Sequence, residues 1–256
     1  MKSTISKAVC AALFLLPTIA SAAEVQGGKK QTLIDVYKEG GWVMHLLLAC
    51  SIDMVWLIID ISLRTTRKRM TPPSDVASAR QAFLAGDYVG AYQAMKAGTS
   101  PFCEVVRGAL GSVGHGKDAT EEAIYVTVEK INSTLQTRIN YLSVIGVCAP
   151  MIGLLGTVGG MKGAFGALGT TGADVGGLAA HIGEVLVATA TGLLVAIPAF
   201  GAFYFLRNKL QGAIHNLQDE AERLFRNAPY EYLQNADVGQ EETFAALPNW
   251  IESPEG

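Results

Sequence analysis

Residues 142–206 constrain this chain more than any other stretch, because two long apolar segments lie there on either side of a short Gly-rich link. Across these residues only Lys162, Asp174 and Glu184 are charged. Each segment has at least the roughly 20 apolar residues that a helix needs to cross a bilayer. The stretch therefore predicts a pair of membrane helices that carry a carboxylate and several hydroxyls into hydrocarbon.

The composition agrees with a membrane protein that also has a polar portion. Half of the 256 residues are hydrophobic and 17% are charged, against about 25% charged in ordinary soluble domains. A net charge of −3 argues against a nucleic-acid binder held by phosphate contacts. The four cysteines have no metal-ligand spacing, so free thiols are expected and no metal or cofactor is predicted. The cysteines are Cys10, Cys50, Cys103 and Cys148.

Residues 1–22 have the pattern of a secretory signal peptide. Lys2 and Lys7 precede a short apolar run, and Ala20-Ser21-Ala22 is typical of a cleavage site. An uncleaved anchor is the alternative, and both options start the rest of the chain outside the cytoplasm. Residues 23–41 are then predicted to be periplasmic, with an amphipathic helix or only a short entry turn.

Residues 42–63 form the first predicted span. The cations that follow it, Arg64, Arg67, Lys68 and Arg69, mark a cytoplasmic end. Asp53 lies near the middle of the span, where a carboxylate suggests function. The simpler alternative is that Asp53 bonds a hydroxyl or amide of a neighbouring helix.

Residues 64–141 are predicted to be a helical cytoplasmic domain. Ser74 is expected to cap a helix at 76–84, after the helix-breaking pair Pro72-Pro73. Two further short helices are expected at 87–97 and 102–113. A long helix starts near Ala119, and since no proline interrupts it before the membrane, it can run into the second span without a break.

The remaining boundaries predict an all-α protein with three spans, N-terminus out and C-terminus in. The second span covers 142–168, the periplasmic loop 169–178 and the third span 179–206. Residues 207–256 are expected to form a cytoplasmic helix followed by a loose acidic tail.

Small residues line one face of each core span. In lipid, helices associate through close backbone approach, so such faces predict contacts between helices. The two prolines can each remove a backbone hydrogen bond and kink their spans. The predicted packing residues are Gly153, Gly156, Gly160, Ala188, Gly192, Pro150 and Pro198.

The polar residues of the core spans suggest proton handling. Glu184 shares the small-residue face with Ala188, while Thr189 points about 140° away from it by helical geometry. Thr157 adds a hydroxyl from the second span, and Thr191 lies closer to the Glu184 face. Bonding of each threonine to its own helix is the alternative. One carboxylate with hydroxyls is no complete relay, so a shared pore in an oligomer is expected.

Two motifs resemble the MotA/TolQ/ExbB proton channel family, and within it the ExbB/TolQ branch. APMIGLLGTVGGMKGAF (149–165) is similar to the family's A-P-x-x-G-L-x-G-T-V-x-G pattern, and EVLVATATGLLVAIP (184–198) is similar to E-A-L-x-x-T-A-x-G-L-x-x-A-I-P. The resemblance implies an inner-membrane homopentamer around a single-span ExbD/TolR-like partner, with protons as the transported ion. It also implies that Thr157, Glu184 and Thr189 are the polar pore residues. The resemblance further implies that proton flow drives a movement of the complex. In ExbB-type systems this movement is passed to a TonB-like protein.

Three residues depart from the family pattern. Asp53 is unusual in the first span, Lys162 replaces a neutral residue, and His181 stands where a small residue is common. Lys162 and His181 could form an outer vestibule that tunes proton entry. The alternative is that Lys162 extends to the outer surface and His181 is solvated.

Other functions remain open at this stage. A Tol-type role in envelope maintenance and another stator motor share the same motifs, and a non-conducting scaffold is a more remote option. An intramembrane enzyme is not expected, because the sequence has neither HExxH nor GxSxG.

Overall fold

The computed structural model describes residues 42–171 and 175–234, together with 236, 238 and 239. The side chains of residues 167–181 and of residue 184 lie outside the described part. The predicted signal peptide (1–22) and periplasmic segment (23–41) also lie outside it.

Helices are the regular elements of the described residues, and no strand occurs among them. The prediction of an all-α protein is confirmed for this part of the chain. A 3₁₀ turn at Val113–His115 connects the short helix Pro101–Ser112 to the long helix Lys117–Thr171. The helices are α1 (Val43–Arg64), α2 (Arg67–Met70), α3 (Pro73–Leu84), α4 (Tyr88–Ala97), α5 (Pro101–Ser112), α6 (Lys117–Thr171) and α7 (Val175–Phe225).

Three helices are long and apolar enough to cross a membrane. They contain the stretches Val43–Arg64, Lys117–Gly166 and Val185–Phe225. Their number and order agree with the three predicted spans. The protein is therefore helical with three long apolar helices, as expected of a membrane protein.

The chain divides into two compact units. The apolar unit holds the described residues up to Asp60 and Arg138–Leu206. The polar unit holds Ile61–Thr137 and the described residues from Arg207 onwards. Each unit is built around its own buried residues.

The start of α3 corrects the predicted cap. Pro72, not Ser74, occupies the N-cap position, and Pro73 is the first helical residue. Proline suits that position because its missing N–H would be unpaired there and its φ is already helical. Ser74 thus lies inside the helix, where its hydroxyl donates a 3.0 Å hydrogen bond to Asp75.

Side chains cap the next two helices. Asp87 precedes α4 and accepts a 2.7 Å hydrogen bond from the backbone N–H of Gly90. Ser100 precedes α5 and accepts from the backbone N–H of Cys103. These caps satisfy N–H groups that the helix cannot pair by itself.

The long helices extend further than predicted. α6 passes through Pro150 and continues to Thr171, and α7 starts at Val175 and passes through Pro198. Most of the predicted loop at 169–178 is thus helical. Adding one residue to an existing helix forms another hydrogen bond at little cost, which here outweighs the weak helix propensity of Gly and Thr.

The polar unit has a conventional hydrophobic core. Phe102, Leu110 and Ile124 are buried within it. The Phe83 ring makes an edge-on contact with Phe225, with ring centroids 5.0 Å apart.

Part of the predicted loose tail packs on this unit. Val238 is buried, and the hydroxyl of Tyr230 donates a 3.0 Å hydrogen bond to the carbonyl oxygen of Phe225. The prediction of a loose tail was therefore wrong for these residues, since apolar and aromatic side chains in it find buried contacts. Residues 240–256 lie outside the described part.

Candidate ion pathway along the contact between α6 and α7

Glycines let the two core helices approach at backbone distance. A Cβ added to Gly192 of α7 would lie 2.6 Å from the carbonyl oxygen of Ala149 on α6. A Cβ added to Gly153 of α6 would lie 2.9 Å from the carbonyl oxygen of Ala188. Because both obstacles are backbone atoms, neither could move aside easily. These two positions require glycine for packing.

A third predicted glycine contacts two helices. A Cβ on Gly156 would lie 3.0 Å from the Cβ of Ala188 and 3.4 Å from Val43 of α1. Ala188 and Val43 are both buried. Gly156 therefore lies where α1, α6 and α7 meet.

The other small residues differ in their surroundings. A Cβ on Gly159 or Gly163 would meet no atom within 4 Å among the described residues. Gly160 is half-buried, as are Pro150 and Pro198. The small-residue pattern thus contains positions with close contacts and positions with open space, and spacing alone does not separate them.

All three threonine hydroxyls bond to their own helix. Thr157 donates to the Leu154 carbonyl at 2.7 Å. Thr191 donates to Val187 at 2.8 Å, and Thr189 donates to Val185 at 3.3 Å. Hydroxyl hydrogen bonds normally measure 2.5–3.0 Å, so the Thr189 hydroxyl is the most weakly held of the three.

The contact also fixes where the threonines lie. Gly153 approaches the Cα of Thr189 as well as the Ala188 carbonyl. Thr157 follows Gly156 directly, so its backbone lies at the level of this contact, while its side chain is turned about 100° around α6 from Gly156. Each threonine is only partly exposed.

Glu184 can be placed by backbone register alone. Ala149 lies opposite Gly192, and Gly153 lies opposite Ala188. The two helices are therefore antiparallel, with residue numbers rising along α6 and falling along α7. One further turn sets the backbone of residue 184 near the level of Thr157. The side chains of Glu184 and His181 lie outside the described residues.

Asp53 stands at the middle of α1 on an exposed face. Within the described residues its carboxylate makes no hydrogen bond to a hydroxyl or amide of another helix. Both interpretations of Asp53, a functional carboxylate and a bond to a neighbouring helix, stay predictions. The apolar side chain of Trp56, one turn away, is exposed on the same face.

Lys162 is exposed in the C-terminal part of α6. The vestibule that it was suggested to form with His181 stays a prediction, because the imidazole lies outside the described side chains.

Two polar contacts near the C-terminal end of α1 were missed by sequence reasoning. In the apolar unit, Arg138 of α6 donates to the carboxylate of Asp60 at 3.2 Å. In the polar unit, Lys209 of α7 donates to the carbonyl oxygen of Ser62 at 3.0 Å and to its hydroxyl at 3.2 Å. Periodicity could not find these pairs, because the partners are 78 and 147 residues apart.

Among the described residues no group of three or more His, Cys, Asp or Glu side chains is arranged to hold a metal ion. The chemistry available along the α6–α7 contact is that of hydroxyls, backbone carbonyls and one carboxylate-bearing turn.

Comparison with known proteins now decides the family. The chain is similar to two proteins called biopolymer transport protein ExbB, from Xanthomonas campestris pv. campestris strains B100 and ATCC 33913. Each is 30% identical over 209 residues, which cover 72% of this chain and 82% of the relative. Residues 93–219 match the MotA/TolQ/ExbB proton channel family. The chain belongs to this family.

The match to the MotA/TolQ/ExbB family includes the whole contact described above. Thr157, Glu184 and Thr189 lie inside residues 93–219, whereas Asp53 on α1 lies outside. The predicted resemblance to the family is confirmed.

Proposed function

We propose that the chain is the proton-conducting subunit of an inner-membrane energy-transducing complex. The observation that carries the proposal is the α6–α7 contact, where glycines bring the helix bearing Thr157 to the helix bearing Thr189 and Glu184. Membership of the proton channel family supports it. Three apolar helices provide the membrane part.

The threonines suit a proton path even though each donates to its own helix. A hydroxyl that has donated its proton still has lone pairs that can accept from water. Because the Thr189 hydrogen bond is long, its hydroxyl can turn away at low cost and donate to a passing water instead. Thr157 and Thr191 are held more firmly, so Thr189 is the hydroxyl best suited to alternate between partners.

Glu184 supplies the ionisable group of the pathway. A carboxylate that faced lipid would cost at least about 2.5 kcal/mol, so Glu184 is proposed to face the proton path or another subunit. One carboxylate does not make a full relay. A second acid is therefore proposed to come from an ExbD/TolR-like single-span partner.

The proposed assembly is a homopentamer in the bacterial inner membrane. Each subunit has its N-terminus outside and its C-terminus inside, so the polar unit is cytoplasmic. The cations that follow α1, namely Arg64, Arg67, Lys68 and Arg69, support this orientation. No enzymatic step and no cofactor is proposed.

Proton flux in liposomes tests the channel. The complex is purified from cells that co-express the chain with a single-span partner carrying a membrane aspartate, and flux is driven by a potassium potential. Glu184→Gln should lower flux by about a hundredfold or more, the low end of what a positioned proton-transfer group contributes. Thr189→Val should lower it less, and Thr157→Val should also lower it.

Thr137→Val is the matched control. This exposed hydroxyl of the polar unit also donates to its own helix, at 2.9 Å to Ser133. Flux should be unchanged by it. Unaltered flux in both Glu184→Gln and Thr189→Val, with the complex still assembled, would contradict the proposed roles of Glu184 and Thr189 in the proton path. A native complex without flux would favour a non-conducting scaffold.

The driven process is proposed to be TonB-dependent transport across the outer membrane. The ExbB relatives, named as biopolymer transport proteins, favour this branch over Tol-type envelope maintenance. In cells that depend on this chain, Glu184→Gln should stop energy-dependent uptake without increasing the permeability of the cell envelope. Envelope leakage with normal uptake would instead point to the Tol-type role.

A further inference from the structure

A cavity of about 760 Å³ opens in the polar unit beside the end of α1. Its lining starts at Arg64, the last residue of the first apolar helix, and continues through α2 to α5 and α6. It is separate from the contact between α6 and α7. Its position at the polar end of a membrane helix places it where lipid headgroups lie.

Cations dominate the charge of this cavity. Arg64, Lys68, Arg69 and Lys130 line it, against the carboxylates of Asp75 and Glu104. Three of the four cations come from the end of α1 and from α2, within six residues of sequence. The lining therefore favours an anion.

Both carboxylates are already engaged. Glu104 pairs with Lys130 at 3.2 Å. Asp75 accepts hydrogen bonds from the Ser100 hydroxyl at 2.7 Å and from the Cys103 thiol at 3.3 Å. Glu104 and Lys130 offset one another, and the remaining cations of the lining, Arg64, Lys68 and Arg69, outnumber the single charge of Asp75.

Lys68 and Arg69 are the available cations. Both side chains are exposed, and neither has a hydrogen-bond or ion-pair partner within the part of the chain that the structure describes. An Arg fork and a Lys ammonium together match the oxygens of a phosphate.

The cavity also has an apolar side. Met70, Ile131 and Leu135 contribute to its lining, of which Leu135 is half-buried and Ile131 and Met70 are buried. A small soluble anion would make no apolar contact with this surface, whereas the glycerol and upper acyl carbons of a phospholipid would contact it. The combination of phosphate-binding cations, apolar lining and a membrane-helix end points to one class of ligand.

We propose that this cavity binds the headgroup of an anionic phospholipid from the leaflet at the Arg64 end of α1. Lys68 and Arg69 hold the phosphate, and Leu135 with the accessible edge of Ile131 contacts the glycerol region. The lipid would tie the polar unit to the membrane surface on the side where α1 ends.

The test uses the full chain in maltoside micelles and a short-chain phosphatidylglycerol as the probe. Binding is followed by the lipid-dependent rise in the thermal unfolding midpoint and by bound lipid in native mass spectrometry. Lys68→Gln/Arg69→Gln should weaken the apparent affinity by about tenfold or more, because each cation near a lipid surface contributes about 1 kcal/mol. Phosphatidylcholine of equal chain length should bind more weakly than phosphatidylglycerol.

Two variants separate charge from folding. Lys68→Arg/Arg69→Lys keeps both charges and should keep the affinity. Lys96→Gln/Arg107→Gln removes one exposed lysine and one exposed arginine away from the cavity, and it should bind as the native chain does. The melting midpoint without lipid shows whether each variant is folded.

Three results would overturn the proposal. One is equal phosphatidylglycerol affinity in the native chain and the Gln/Gln variant. Another is equal binding of phosphatidylcholine. The third is saturation by inorganic phosphate at the same concentration as the lipid, which would assign the cavity to a soluble anion.

Discussion

The two units of this protein differ in the side chains that they bury where their helices approach most closely. The polar unit buries large side chains such as Phe102 and Leu110. The apolar unit buries small ones at its helix contact, including Ala149 and Ala188, while Phe165 and other large apolar side chains are exposed.

This difference follows from the solvent that each unit meets. In water, large apolar side chains are driven inward because their exposure is costly. In a bilayer that force is missing between helices, so close approach of backbones and dispersion contacts hold the helices together. The exposed apolar side chains of the apolar unit are then available to lipid and to neighbouring subunits.

The largest expected effect comes from making the same type of substitution, phenylalanine to alanine, once in each unit. Phe102→Ala should lower the free energy of unfolding by about 3–5 kcal/mol, because a fully buried ring leaves a cavity. Phe165→Ala should change it by less than about 1 kcal/mol, since 69% of that side chain is exposed. Denaturant titration of the full chain in micelles, followed by circular dichroism, measures both. Equal losses would erase the contrast between the units.

A smaller effect is expected from adding one methyl group at the contact between α6 and α7. Gly192→Ala should destabilise the protein by about 1–3 kcal/mol, because the new Cβ meets a backbone carbonyl that cannot yield. Gly159→Ala is the control, since its Cβ would enter open space, and it should be neutral or stabilising by up to about 1 kcal/mol. The same denaturant titration applies, and a tolerated Gly192→Ala would show that the helices pack more loosely than their backbones indicate.

The smallest effect concerns a polar cluster in the polar unit. Burial raises the pKa of Asp75, but hydrogen bonds donated by Ser100, Cys103 and Ser74 outweigh burial and leave the pKa below its ordinary value. Asp75→Asn should cost about 1 kcal/mol, the usual net value of a lost hydrogen bond.

The pH dependence of this contribution has a defined sign. Because the folded pKa is lower than the unfolded one, the carboxylate stabilises the fold above about pH 4. The stabilisation is lost as the pH falls below that value towards the folded pKa. Unfolding curves of the native chain and Asp75→Asn should therefore converge at low pH. A constant difference from pH 7 to pH 3 would assign the effect to something other than ionisation.

Several features of the fold could be predicted from local pattern. The three apolar helices and the unbroken run of α6 both depend on residues close together in sequence. The family was likewise recognisable from two contiguous motifs. Helix ends were less predictable, as Ser74 shows, since neighbouring candidates compete and Pro73 makes the earlier start favourable.

The sequence by itself determined the helical class, the three apolar stretches and the residue types along the α6–α7 contact, because periodicity and hydropathy act over a few turns. Only the tertiary structure decided that Gly153 and Gly192 meet backbone while Gly159 does not. It also decided that Arg138 pairs with Asp60 and that cations from α2 share a cavity with α6. These outcomes depend on how distant helices are rotated and set against one another, and identical small-residue spacing is compatible with many such arrangements.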